Sequence, residues 1–73
     1  MNFRRLKNYG TADECGRREI ENYISRADPQ TSEMMRLRFI VGLKYFQVAM
    51  TLGGGMSADC VKKRIYRYIK NHR

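Results

Sequence analysis

The sequence predicts an all-α fold: a compact domain of three to four helices with a helix-turn-helix and no wing. Three observations predict it. Apolar residues recur at helical spacing from Ile20 to Ile69, and no segment alternates as a half-buried strand does. Helix-starting residues (Thr11, Asp28-Pro29, Ser57) precede the apolar runs, and glycines (Gly42, Gly53-Gly54-Gly55) follow two of them. The last run is loaded with lysine and arginine, the outline of a basic recognition helix.

Residues 1–10 form a basic N-terminal segment, and residues 11–73 the helix-turn-helix domain. Phe3, Leu6 and Tyr9 are spaced for one side of a helical turn. The preferred expectation is a frayed terminus or short helix that lays Phe3 and Leu6 on the core. The alternative is an arm whose Arg4, Arg5 and Lys7 touch phosphate.

The first long helix is expected near Thr11. Thr11 with Glu14 fits a capping box, and Asp13 and Glu14 complement the positive helix end. Ile20, Tyr23, Ile24 and Ala27 form its apolar stripe, while Gly16 costs about 1 kcal/mol relative to alanine. Asp28-Pro29 ends this helix and starts the second. Proline suits the first helical position with Asp28 as cap, and Thr31 or Ser32 is the alternative cap. The second helix runs to about Val41. Its face uses Met34 or Met35, Leu37, Phe39, Ile40 and Val41, and Gly42 is its left-handed stop.

The third helix covers roughly residues 44–52, with Tyr45, Val48, Ala49 and Leu52 on one face. The triple glycine is the turn. Ser57 caps the fourth helix, and Asp59 sits in its first turn. Ala58, Val61, Ile65, Tyr68 and Ile69 face the core.

Charge narrows the function. The net charge is +8 over 73 residues. Residues 56–73 hold six cations against the single carboxylate of Asp59, a net +5. Such a balance points to a polyanion, nucleic acid first. The outward side of the last helix supplies the candidates. Ser57, Asp59, Cys60, Lys62 and Lys63 lie near its N-terminus, where a recognition helix reaches base edges. Tyr66, Arg67 and Lys70 lie further along, as phosphate candidates. The competing reading is an ordinary solvated face, with Asp59 a helix-dipole partner, Tyr66 a cover for apolar surface and Cys60 a small semi-buried residue.

No cofactor or metal is expected. Cys15 and Cys60 lie far apart with one histidine, His72, and their spacing does not make a zinc site. The triple glycine is followed by no Gly-Lys-Ser/Thr, so it is no phosphate loop. With paired carboxylates also lacking, no enzyme is expected. No signal peptide or membrane-spanning run is evident, so the expectation is a cytoplasmic protein with free thiols, a Cys15–Cys60 bridge being the alternative.

Leu37-Arg38-Phe39, Ile40-Val41-Gly42-Leu43, Lys44, Tyr45, Val48-Ala49 and Leu52-Gly53, with the turn and helix start from Gly53 to Asp59, carry a family likeness. Over about residues 20–70 the chain resembles the C-terminal promoter-reading region of bacterial sigma factors. More closely, it resembles small sigma-like proteins of phages and prophages in Gram-positive bacteria. Two departures stand out. Lys44 occupies the position of a small hydroxyl cap, and Gly53 to Val61 spans eight positions where six are usual.

The resemblance implies binding to double-stranded DNA, together with RNA polymerase, and places Arg38, Lys44 and Gln47 near the DNA backbone. The leading expectation is a sequence-specific double-stranded DNA-binding protein that regulates phage or prophage transcription. One alternative is an interaction module that docks on RNA polymerase or another transcription factor through Arg17, Arg18, Glu19 and Glu21. Another is a DNA-packaging small-subunit-like module, which would form rings. Since a lone small module binds weakly, a homodimer spanning two half-sites is the assembly expected, although no heptad seam marks it.

Overall fold

The computed structural model describes residues 1–72. Its elements are α1 (Phe3–Lys7), a 3₁₀ turn (Tyr9–Thr11), α2 (Glu14–Ser25), α3 (Pro29–Met35) continued by a π-helical segment (Arg36–Val41), α4 (Tyr45–Leu52) and α5 (Ala58–Asn71). The described residues are thus all-helical, with one short helix more than the three or four expected. There is no strand among them.

The additional helix is α1. Asn2 starts it by accepting from the Arg5 N–H at 2.9 Å. Leu6 is fully buried, which ties the N-terminal segment into the core. An Arg5–Glu19 ion pair joins α1 to α2. The following turn is held by Tyr9, which donates to Glu21 at 2.8 Å, and by Arg17, which donates to the Gly10 carbonyl at 3.1 Å.

The start of α2 differs from expectation. Asp13, not Thr11, is the cap, accepting from the Gly16 N–H at 2.7 Å. Thr11 instead donates to the Asn8 carbonyl within the preceding turn. Both residues are competent caps, and the turn at Tyr9–Thr11 already uses Thr11. Gly16 then has a packing reason. A Cβ there would stand 3.1 Å from the Asp13 carboxylate oxygen and 3.2 Å from the Ala12 methyl.

Asp28 caps α3 by accepting from the Thr31 N–H at 3.1 Å, with Pro29 in the first turn as expected. The helix then widens, and the Gly42 N–H reaches back five residues to the Leu37 carbonyl at 3.1 Å. This wider turn rotates the last residues off the 3.6-residue stripe. Leu37 and Phe39 stay buried, whereas Val41 is 52% exposed rather than in the core.

Gly42 stops the helix at φ 93°, and a methyl group added there would stand in open space. Gly42→Ala is therefore expected to cost about 1–2 kcal/mol from backbone strain alone. Urea unfolding checks this, and an unchanged midpoint would contradict it.

The core gathers Leu6, Ile20, Ile24, Met34, Met35, Val48, Val61, Ile65 and their neighbours. α5 packs chiefly on α4 and also on α3, while α2 packs on α3. Val61, Ile65 and Ile69 form the buried stripe of α5, as their spacing requires. Tyr68 is half-buried beside them and donates to the Tyr23 carbonyl at 3.3 Å.

Candidate nucleic-acid interface

The connection between α4 and α5 sets how α5 is presented. Gly53, Gly54 and Gly55 all have positive φ, between 68° and 76°, which glycine adopts without a Cβ penalty. The Met56 N–H closes the turn on the Gly53 carbonyl at 3.3 Å, and Met56 packs against the core. Ser57 then caps α5, accepting from the Cys60 N–H at 3.2 Å.

With Val61, Ile65 and Ile69 buried, helical geometry turns the other side of α5 to solvent. Asp59, Cys60, Lys62, Lys63, Tyr66, Arg67 and Lys70 are all exposed there, as is the cap Ser57. Cys60 is exposed rather than semi-buried, and neither it nor Cys15 is in a disulfide. Lys63, Arg67 and Lys70 lie at i, i+4 and i+7 and so share one strip, about 10 Å long at 1.5 Å per residue.

Besides the cap Ser57, three base candidates on α5 are already engaged: Asp59, Lys62 and Lys63. The Lys63 ammonium lies 3.0 Å from the Asp59 carboxylate, with both side chains at least 70% exposed. Such an exposed pair is worth at most about 1 kcal/mol, so Lys63 can exchange this partner for a phosphate. The Lys62 ammonium stands 5.6 Å over the Tyr66 ring. Tyr66 is 44% exposed and packs edge-on against Phe3 at 5.0 Å.

The α4 candidates divide. Lys44 and Gln47 are exposed at the helix start. Lys44 lacks an acceptor to cap with, and Gln47 compensates by accepting from the Lys44 N–H at 2.9 Å. Arg38 is committed to the turn. Its Nη1 donates to the Leu43 carbonyl at 3.2 Å, and its guanidinium lies 4.6 Å from the Tyr45 ring centre. Burial pushes the Tyr45 phenol above its ordinary pKa, and the neighbouring Arg38 opposes part of that rise. Arg38 is half-buried, so its first role is to tie the π-helical segment to the start of α4.

Two functional-looking features were not apparent from spacing. Arg64, beside the basic strip, bonds Gln30 and so joins α5 to α3. Phe3 reaches Tyr66 across the fold, which only the placement of α1 reveals. The charged face of α2 is mostly engaged internally: Arg17 binds loop carbonyls, Arg18 meets Glu14, Glu19 meets Arg5 and Glu21 meets Tyr9.

Among the described residues, no cluster of three or more His, Cys, Asp or Glu is placed to hold a metal. No described helix is long and apolar enough to cross a membrane. No family model, curated protein or solved structure matches the chain, so what this surface does must follow from its own geometry and charge.

Proposed function

We propose that the protein is a non-enzymatic, sequence-specific double-stranded DNA-binding module that regulates transcription, of the sigma-like phage or prophage type. In this reading α4, the glycine turn and α5 form the helix-turn-helix, without a wing. The observation that carries it is the exposed strip Lys63, Arg67 and Lys70, set on a helix whose opposite side is fixed in the core. A helix held this way can lie in the major groove with its cations on phosphates. Lys62 and Ser57, near its N-terminus, then face base edges and supply sequence preference. Selection from a random duplex library tests the specificity. A shared sequence among bound duplexes is expected, and an unselected mixture would contradict it.

Among the described residues of α5, Asp59 is the one with a carboxylate side chain, and it pairs with Lys63. Asp59→Asn is expected to tighten duplex binding severalfold, because Lys63 no longer has to give up a partner and a carboxylate no longer faces the phosphates, while the logarithmic salt slope stays near the parent's because Lys63 neutralises one phosphate in either chain. The same change weakens the helix start by about 0.3–1 kcal/mol. Anisotropy titrations at several salt concentrations read the first effect, and urea unfolding the second.

A second reading is docking on RNA polymerase or another transcription protein, and one observation favours it. Val41, Phe46 and Met50 are large apolar side chains at least half exposed, and the last two share a face of α4 at i, i+4. Retention of polymerase subunits from nuclease-treated host lysate, lost on Phe46→Glu, would support this partner. A blank would remove it.

A further inference from the structure

A groove runs between α1 and α5. One part, about 340 Å³, is lined by Phe3, Tyr66, Ile69 and Lys70. It adjoins a second, larger part, about 680 Å³, that shares Phe3 and Ile69 and is flanked by Arg4 and Arg5. Among the described residues, no acidic side chain lines either part. Arg5 is paired with Glu19, which leaves Arg4 and Lys70 as the cations that border the groove.

Two aromatic rings meet there at 72°. An ammonium lies over each, Lys7 at 5.6 Å from the Phe3 centroid and Lys62 at 5.6 Å from that of Tyr66. Both lysines are exposed and stand 5.6 Å from the ring centres, so they shield the rings only loosely. The occupant that suits such a site has a flat apolar part for the rings and a negative part for the cations around it. An unpaired nucleotide combines the two, and aromatic platforms within basic grooves bind single strands in this manner.

We propose that the Phe3–Tyr66 groove takes the base of an unpaired nucleotide, with the flanking phosphates on Lys70, Lys62 and Arg4. The base displaces the lysines from the ring faces, and they swing out to phosphate. Lys70 belongs to both this groove and the strip of α5, so a strand that leaves a duplex on α5 can continue into it. This site extends the proposed nucleic-acid role from paired to unpaired strands, and the two can fail separately.

The test compares two labelled single strands of equal charge: an oligothymidylate of about ten residues and an abasic strand of the same length. Anisotropy is measured with the full chain at several salt concentrations. The thymidine strand is expected to bind about tenfold more tightly, with the same salt slope, because stacking adds affinity without charge. Tyr66→Ala should erase that difference and leave the slope alone, and Phe3→Leu, which keeps apolar packing, should reduce it. Urea midpoints establish that both variants are folded.

Equal affinity for the two strands overturns the proposal, even if duplexes bind. A thymidine preference without duplex binding supports the groove and removes the duplex reading instead. Binding of an acidic peptide with one aromatic residue, lost in Tyr66→Ala while the two strands bind alike, would assign the groove to a protein partner and overturn the nucleotide site.

Discussion

Replacing Lys63, Arg67 and Lys70 together by glutamine is expected to lower duplex affinity by about three orders of magnitude at about 50 mM salt. Each phosphate neutralised contributes about 0.9 to the logarithmic salt slope, so three lost contacts flatten it by about 2.7. The loss should shrink as salt rises, because it is a loss of released counterions. Stability should change little. All three side chains are exposed, and the ion pair removed is the exposed Lys63–Asp59 contact. Anisotropy titrations over a salt series read the slope, and a urea midpoint reports the fold. A folded triple variant with an unchanged slope would mean that this strip is an ordinary solvated face.

Leu6→Ala is expected to cost about 2–5 kcal/mol. Domains hold about 0.05–0.15 kcal/mol per residue, so a chain of this size has only about 4–11 kcal/mol to lose. The substitution should leave the protein partly or wholly unfolded, although Leu6 lies in a five-residue helix near the N-terminus. Its full burial is the reason. Met50→Ala, at a side chain 76% exposed, should lie near zero and serves as the control. Urea unfolding of the two variants decides the matter. A Leu6→Ala midpoint close to the parent's would mean that α1 is an appendage rather than part of the core.

Much of the fold is legible in the sequence where it depends on neighbours along the chain. The caps at Asp28 and Ser57, the stop at Gly42 and the buried stripe Val61-Ile65-Ile69 each follow from residues a few positions apart. These are local decisions, settled by one side chain and one or two backbone groups. Thr11 and Asp13 show the limit of local reading. Both can cap, and the choice depends on whether the preceding turn has already used one of them.

What escapes the sequence is long-range or depends on backbone geometry. Val41 fits a 3.6-residue stripe and leaves it only because the helix widens after Met35. The family resemblance implies that Arg38 lies near the DNA backbone. Whether it reaches outward or inward depends on where the Leu43 carbonyl points, which the glycine stop determines. Phe3 and Tyr66 are more than sixty positions apart, and no periodicity announces their contact. The outward strip of α5 lies between these cases. Its composition and its side of the helix are written in the sequence, but the Asp59–Lys63 pairing and the Lys62–Tyr66 contact required the side-chain arrangement.

The central claim is that the α5 strip binds duplex DNA through its cations. The most direct test is the salt dependence of duplex binding by the unmodified chain. Three phosphate contacts or more require affinity to fall with salt at a logarithmic slope of at least about 2.7 in magnitude. No measurable duplex binding, or binding with a slope near zero, would contradict it.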